Sequence, residues 1–205
     1  MLLAGDDHIS ITVDGPREAQ AVARHLRADG AWLEVVAGIN SVVVQFDLAR
    51  MAPQDAIEQI QKASAEAFVD DTPIEIFEIP VEYGGDCGPE LEAICELLKM
   101  SAAEFIEIHT AGEYEVDMIG FTPGFAYVGG LDARLDIPRL DEPRVSVAAG
   151  SIGIAGGRTG LYALPGPGGW PLIGRTSFQL FDAAADEPFI LQPGSLIRFV
   201  DAGRQ

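Results

Sequence analysis

Hydrophobic and polar residues in the first 80 positions alternate with two periods, one typical of strands and one typical of helices. The strand-like segments are His8–Val13, Trp32–Val36, Ser41–Phe46 and Ile74–Ile79. Helical spacing follows Pro16 and again follows Pro53, and proline is common in the first turn of a helix. The resulting order, β-α-β-β-α-β, predicts a ferredoxin-like domain. No motif in this half indicates chemistry, so we expect a scaffold or docking domain.

The pattern changes after residue 79. Only four of the 23 glycines precede Gly84, and ten of the 13 prolines lie at or beyond Pro80. Two short helices come first, and the second begins with the capping-box pattern Ser101-x-x-Glu104. Short strands separated by glycine and proline loops then predict a β-barrel or sandwich. These strands are Tyr114–Ile119, Arg144–Val147, Ser151–Ile154, Leu161–Leu164, Phe178–Phe181 and Leu196–Val200. We therefore expect two domains, residues 1–79 and 80–205, and an α+β fold class.

Composition excludes several classes of function. The chain has 32 acidic and 13 basic residues, and its formal net charge of −19 repels nucleic acids and anionic membranes. It contains no run of roughly 20 apolar residues and no signal-peptide pattern at its start, so we expect a cytoplasmic protein. The spacing of Cys87 and Cys95 fits neither a redox pair nor a zinc site, and no metal is expected.

One segment departs from this acidic character. From Pro143 to Phe181 there are 39 residues, three arginines and no aspartate or glutamate. Arginine binds carboxylates and phosphates in a bidentate manner, and glycine lets backbone N–H groups approach a ligand. The segment therefore indicates an anion site, and a barrel whose arginines pair with distant acids is an equal alternative. The candidate residues are Arg144, Gly156, Gly157, Arg158, Thr159 and Arg175.

Arg175 is the strongest of these candidates, and we expect it to act in catalysis. It lies between Gly174 and Thr176, so backbone access, a guanidinium and a hydroxyl occur in three successive positions. Arg144 has an alternative structural role, because it could pair with Asp141 or Glu142.

Aromatic residues form the second candidate feature. Phe121, Phe125 and Tyr127 lie close together around Gly124 and could build an apolar pocket wall, with barrel core as the alternative. Trp170 is a candidate anchor for a partner protein docking on Phe121–Leu131 and Pro165–Pro171, or it folds back over its own barrel.

His109 is the candidate general base, since histidine titrates near neutral pH. A buried or capping histidine is the alternative interpretation. The sequence contains no P-loop, no dinucleotide-binding glycine motif and no nucleophile elbow.

Six segments together resemble the family of 5-oxoprolinase B subunits, also called the KipI or allophanate hydrolase subunit 1 family. They are IPVEYGGDCGPEL, IHT, GFTPGFAYVGGL, PR, AAGSIGIAGGRTGLY and PGGWPLIGRT. The resemblance covers essentially the whole chain and implies a ferredoxin-like domain followed by a cyclophilin-like β-barrel. Arg158 stands where relatives often have another polar residue.

The resemblance also implies a function. It implies one component of an ATP-dependent 5-oxoprolinase that converts 5-oxoproline to glutamate, inactive alone and acting with a KipA-type protein (the C subunit) and a lactam-cleaving A subunit. The carboxylate of 5-oxoproline or the phosphates of ATP would explain the arginine-bearing segment. The resemblance leaves two alternatives, a KipI-like inhibitor of a sensor histidine kinase and the carboxyltransferase half of a urea carboxylase or allophanate system. The barrel also invites a prolyl-isomerase interpretation, but barrel shape alone does not supply that site.

Overall fold

The structure is a computed structural model that describes residues 2–3, 6–67, 76–186 and 188–204. By its contacts the chain divides into two units, Met1–Pro73 and Ile74–Gln205. Each unit has its own hydrophobic core. Within the described residues, no helix is both long enough and apolar enough to cross a membrane.

The N-terminal unit is a four-stranded antiparallel sheet with two helices. Its strands are β1 (Leu2–Leu3), β2 (His8–Thr12), β3 (Glu34–Ala37) and β4 (Ser41–Gln45), and they lie in the order β1-β2-β4-β3. Helices α1 (Pro16–Asp29) and α2 (Pro53–Glu66) both begin with proline, as predicted. Their apolar faces join the sheet in one core, which includes Val22, Leu26 and Ile60.

The last strand predicted for this unit belongs instead to the other one. It is β5 (Ile76–Tyr83), and residues 74 and 75 of the prediction lie outside the described residues. Ile79 and Val81 are fully buried in the core of the C-terminal unit. The expected division at residue 79 therefore falls inside a continuous strand. Period-two alternation identifies a strand but does not say which sheet the strand joins.

A closed seven-stranded barrel forms the C-terminal unit, and it confirms the β-barrel predicted from the short strands. The strand order is β10-β7-β6-β13-β5-β12-β9. These strands are β5, β6 (Tyr114–Ile119), β7 (Ala126–Gly129), β9 (Ser151–Ala155), β10 (Arg158–Leu161), β12 (Leu172–Arg175) and β13 (Leu196–Asp201). The β13–β5 pair is parallel and the other pairs are antiparallel.

Smaller elements complete this unit. Helices α3 (Leu91–Leu98) and α4 (Ala102–Ala111) connect β5 to β6, and Ser101 caps α4 by accepting a hydrogen bond from the backbone N–H of Glu104, as the capping box predicted. Strands β8 (Arg144–Val147) and β11 (Gly166–Gly168) form a separate two-stranded sheet. Short 3₁₀ helices occupy Ala133–Leu135 and Ala202–Arg204.

Two strand predictions were wrong. The strand expected at Leu161–Leu164 is β10, which ends where the prediction begins. The strand expected at Phe178–Phe181 is reduced to one bridge between Phe181 and Phe189. Strands β7, β11 and β12 were not predicted. Each is only three or four residues long and contains glycine, which has a low strand propensity, and β11 also contains proline.

Candidate functional site

A cavity of about 250 Å³ opens among aromatic side chains on the C-terminal unit, and we call it the aromatic pocket. Its main lining residues are Phe121, Phe125, Tyr127, Arg139, Tyr162 and Trp170. Phe125, Tyr162 and Trp170 are buried, Tyr127 is half-buried, and Phe121 and Arg139 are exposed. The buried rings therefore form the floor and the exposed residues form the rim.

Close packing of these rings depends on Gly160 in β10. A Cβ atom at this position would lie 2.7 Å from the Phe125 ring and 2.9 Å from the Trp170 ring. The Phe125 ring meets Tyr127 and Tyr162 edge to face, at 4.8 Å between centroids in each case. Edge-to-face pairs of this kind stabilise one another beyond the area they bury. The floor of the pocket is therefore preformed.

The turn between β6 and β7 carries the rim residue Phe121. Its φ angle is +69°, in the left-handed region that non-glycine residues seldom adopt, and its side chain is 62% exposed. Strained residues of this kind concentrate at functional sites. Gly124 in the same turn also has a positive φ, and a Cβ there would meet the Phe189 ring. Gly124 therefore shapes the turn and does not line the cavity.

A second cavity, of about 290 Å³, lies around Arg175 at the end of β12, and we call it the Arg175 pocket. Glu82, Cys87, Thr176 and Ser177 also line it. The Nε atom of Arg175 is buried and has no hydrogen-bond partner, and no ion pair to this guanidinium occurs among the described residues. Burying an unpartnered donor costs stability, so the arrangement favours an incoming acceptor.

The other two candidate arginines are held in ion pairs. Arg144 pairs with Glu90, whose second carboxylate oxygen accepts a hydrogen bond from the Leu172 N–H. Arg158 donates from Nε to Asp117 at 2.9 Å. Both pairs are partly shielded from water. Because their guanidiniums are already occupied, the geometry gives Arg144 and Arg158 structural roles and leaves Arg175 as the available cation of the three.

The surroundings of Cys87 in the Arg175 pocket disfavour its thiolate form. Burial, together with the Glu82 carboxylate, raises the pKa of the Cys87 thiol, and Arg175 offsets only part of this effect. A thiol with a raised pKa is a poor nucleophile at neutral pH. The polar groups that this pocket offers to a ligand are therefore the Arg175 guanidinium, the Glu82 carboxylate and the hydroxyl groups of Thr176 and Ser177.

The structure places His109 inside the core, away from both pockets. Its ring is fully buried, with Nδ1 lying 2.7 Å from the Tyr83 hydroxyl and Nε2 lying 3.3 Å from the Thr159 hydroxyl. Desolvation lowers the pKa of His109 to about 3. A neutral, enclosed imidazole cannot reach a ligand, so the geometry argues against the predicted general base. The Thr159 hydroxyl lies in the same enclosed site, so the geometry also argues against Thr159 as an anion contact.

Gly156 and Gly157 form the β9–β10 turn, with φ angles of +57° and +71°. The Gly157 N–H donates to the Asp136 carboxylate at 2.6 Å, and the Gly156 N–H donates to the Ile137 carbonyl. Both donors are therefore used within the protein. No group of three or more potential metal ligands occurs among the described residues.

Comparison with known proteins adds to this geometry. A family model described as "Carboxyltransferase domain, subdomain C and D" matches residues 2–191. A protein named as the B subunit of 5-oxoprolinase, from Escherichia coli O157:H7, is 44% identical over 168 residues, which cover 82% of this chain and 77% of that protein. A protein of the same name from Bacillus subtilis (strain 168) is 35% identical over 211 residues, covering 98% of this chain and 88% of that protein.

The chain belongs to the family of 5-oxoprolinase B subunits. This confirms the resemblance that the sequence motifs indicated. The crystal structure of TTHA0988 is similar in fold, with a TM-score of 0.80 and 28% sequence identity over 95% of this chain. The chain spans only 40% of the length of that structural relative.

Sequence reasoning did not identify two residues that line the aromatic pocket. Arg139 lies in the segment between β7 and β8, and its guanidinium carbon lies 5.8 Å from the centroid of the Trp170 ring. Tyr162 follows β10 and is buried at the pocket floor. The PR dipeptide at Pro138 was a visible signal for Arg139, whereas Tyr162 resembles any core tyrosine.

Proposed function

We propose that this chain is the B subunit of an ATP-dependent 5-oxoprolinase, a hydrolase that opens 5-oxo-L-proline to L-glutamate. The observation that carries the proposal is the 44% identity to a relative of that name, extending over 77% of that relative. In this proposal the chain acts with a KipA-type protein and a lactam-cleaving A subunit, in the cytoplasm. The family model's carboxyltransferase description makes carboxyl transfer the related alternative.

Inactivity of the isolated chain is part of the proposal. Among the described residues, the Arg175 pocket offers a protonated thiol and the aromatic pocket offers no histidine, and His109 is enclosed in the core. Neither cavity therefore contains a histidine or an activated thiolate, and Glu82 is the carboxylate in the lining of the Arg175 pocket. Water activation and lactam cleavage then fall to the other subunits.

The Arg175 pocket fits the phosphate portion of ATP. The unpartnered buried Nε of Arg175 is a donor that a phosphate oxygen would satisfy, and Thr176 and Ser177 add hydroxyl groups. The cavity volume of about 290 Å³ is at the lower end of ligand pockets, so it suits a phosphate group better than a whole nucleotide. ATP would supply the free energy for ring opening, and Arg175 would orient its phosphates. The Glu82 carboxylate in the same lining limits the net positive charge.

Partner docking is proposed on the loops Phe121–Leu131 and Pro165–Pro171. Phe121 is the better anchor, because 62% of its surface is exposed, whereas Trp170 is only 6% exposed and packs on its own barrel. The alternative of a KipI-like kinase inhibitor would use the same kind of surface and remains a prediction.

We propose that the N-terminal unit has a ferredoxin-like fold and that the barrel has a cyclophilin-like fold. The sheet order β1-β2-β4-β3 supports the first proposal, since β1 occupies the edge position that the expected last strand would fill. The closed seven-stranded barrel supports the second.

Reconstitution tests the proposed function. The purified chain, its two partner proteins, and all three together are assayed for ATP-dependent release of glutamate from 5-oxoproline. We expect turnover only with all three proteins. Robust turnover by this chain alone, or none by the complete assembly, would contradict the proposal.

Arg175→Lys tests the anion role within the active assembly. Lysine keeps the charge but lacks the bidentate fork, so we expect KM for ATP to rise about tenfold or more. Arg198→Lys is the matched control, because Arg198 makes an exposed ion pair with Glu78 on the barrel surface. Wild-type kinetics for both variants would assign Arg175 to the scaffold.

A further inference from the structure

The lining of the aromatic pocket combines apolar rings with one cation and no carboxylate. Arg139 is its charged residue, and every other described lining residue is aromatic, aliphatic, proline or glycine. A neighbouring cavity, which shares Arg139, is lined by Glu90 and Asp141, and the Arg175 pocket is lined by Glu82. The aromatic pocket is thus the cavity of the three that presents a positive charge without an opposing acid.

The Trp170 ring holds Arg139 at the rim. The guanidinium carbon of Arg139 lies 5.8 Å from the Trp170 centroid, within the range of a cation–π interaction. Arg139 makes no ion pair among the described residues, although Asp141 and Glu142 follow closely in the sequence. The planar fork of a stacked guanidinium remains free to bind a carboxylate through two N–H groups.

We infer that Arg139 is the carboxylate-binding residue of a subsite for 5-oxoproline in the aromatic pocket. This rests on the proposed function for the identity of the ligand. The small lactam ring has apolar faces that suit the Phe125 and Trp170 rings, and its single carboxylate suits Arg139. Trp170 therefore acts as a wall of the subsite and as the support for Arg139. Because one chain supplies the whole lining, binding needs no second protein.

Titration of the isolated full-length chain with three ligands, with ligand-observed NMR as the readout, tests this inference. The probes are 5-oxo-L-proline, 2-pyrrolidinone, which has the same lactam ring without the carboxylate, and an uncharged N-acetyl-proline amide. Wild-type protein should bind 5-oxoproline at least tenfold more tightly than either neutral probe. Equal affinity for the neutral prolyl probe would overturn the inference, since that ligand offers a ring but no carboxylate.

Substitution of Arg139 separates the carboxylate contact from ring stacking. Arg139→Gln should weaken 5-oxoproline binding about tenfold or more and leave 2-pyrrolidinone binding unchanged, and Arg139→Lys should restore part of the loss. Arg134→Gln is the matched control, since Arg134 is also exposed but is paired with Asp132. Absence of wild-type binding, or equal effects of Arg139→Gln and Arg134→Gln, would overturn the inference.

The same variants distinguish this inference from the proposed function. In the three-protein assembly, Arg139→Gln should raise KM for 5-oxoproline about tenfold with little change in kcat. If the assembly opens 5-oxoproline but Arg139→Gln has wild-type KM, the subsite is wrong and the proposed function stands. If the assembly never opens 5-oxoproline, the proposed function is wrong, and the titration of the isolated chain still decides the subsite.

Discussion

At the scale of single residues, His109 shows how burial sets the chemistry of a side chain. Its ring stacks on Phe199 at 4.6 Å between centroids and lies near Tyr114 at 5.3 Å. The Tyr83 and Thr159 hydroxyls lie within hydrogen-bond reach of its two nitrogens. These partners suit a neutral imidazole, and the aromatic cage excludes the water that an imidazolium needs. His109 is therefore a stabilising polar group in the core.

We predict that His109 makes stability depend on pH. The pKa of His109 is lowered from 6.5 to about 3, so below about pH 6.5 the unfolded chain binds a proton that the folded chain does not. The stabilising contribution is complete above pH 6.5 and decreases as pH falls toward 3, by about 1.4 kcal/mol per pH unit. His109→Gln should lower the free energy of unfolding at pH 8 by about 1–3 kcal/mol and remove this part of the slope.

Urea unfolding of wild type and His109→Gln at several values between about pH 8 and pH 4.5 measures the difference. Trp170 fluorescence in a Trp32→Phe background reports on the barrel. His25→Gln is the control, because the His25 side chain is 39% exposed. A constant gap between wild type and His109→Gln over this range would contradict the prediction.

The three arginines of the acid-free segment show what sequence alone could settle. The composition singled out a segment in which arginine occurs without acids, and two interpretations of its arginines were open, an anion site or ion pairs with distant acids. For two of the three arginines, the ion-pair interpretation is correct. Arg144 pairs with a glutamate 54 positions away, and Arg158 pairs with an aspartate 41 positions away. Such partners depend on the barrel closing. The local Gly-Arg-Thr pattern favoured Arg175, but Arg158 lies in the same pattern, so the sequence could not show that Arg158 is paired and Arg175 is not.

At the scale of elements, the β6–β7 turn positions the rim of the aromatic pocket. Phe121 occupies left-handed backbone there and still presents an exposed aromatic ring, which meets Phe125 edge to face at 5.6 Å. Glycine would adopt this conformation without strain. The aromatic residue at this place therefore carries a cost to stability, which fits a residue that contacts a ligand or a partner.

We predict that Phe121→Gly is more stable than Phe121→Ala. Both variants lose the ring, but alanine keeps the strain of the positive φ, so the glycine variant should be more stable by about 1 kcal/mol, or roughly 2–4 °C in Tm. Differential scanning calorimetry measures this. Val145, which is 92% exposed in β8, is the control position, where glycine should be less stable than alanine. The same order at both positions would contradict the assigned backbone strain.

Element prediction succeeded where side-chain periodicity was strong and failed where glycine replaced it. Tyr114–Ile119 and Arg144–Val147 were predicted with correct ends. Strand β12 was not predicted, because it contains Gly174. The structure requires glycine at this position, since a Cβ atom would lie 2.7 Å from the Glu82 carbonyl oxygen of β5. Close approach of two strands favours glycine, whereas strand propensity disfavours it. The four aromatic candidates lie around one pocket, because Phe121, Phe125 and Tyr127 are close together in sequence and Gly160 leaves room for Trp170.

At the scale of the whole molecule, each unit has a separate core, and both pockets lie in the C-terminal unit. The core cluster of that unit runs from Ile79 in β5 to Phe199 in β13 and includes no residue of the N-terminal unit. Domains with their own core are able to fold alone. The position of β5 decides where such a domain begins. Its parallel partner β13 pairs from Leu196 with Ile76 to Asp201 with Val81.

We predict that a fragment of residues 74–205 folds alone and keeps the aromatic pocket, whereas residues 80–205 do not. The shorter fragment removes Ile76–Ile79, which pair with Leu196–Phe199, and so it exposes backbone groups and the buried Ile79 site in the middle of the barrel. We expect the longer fragment to unfold cooperatively in urea and to bind 5-oxoproline with the affinity of the full chain. The shorter fragment should lose its near-UV circular dichroism. If both fragments fold with equal stability, the assignment of β5 to the barrel is wrong. If neither fragment folds, the barrel requires the N-terminal unit.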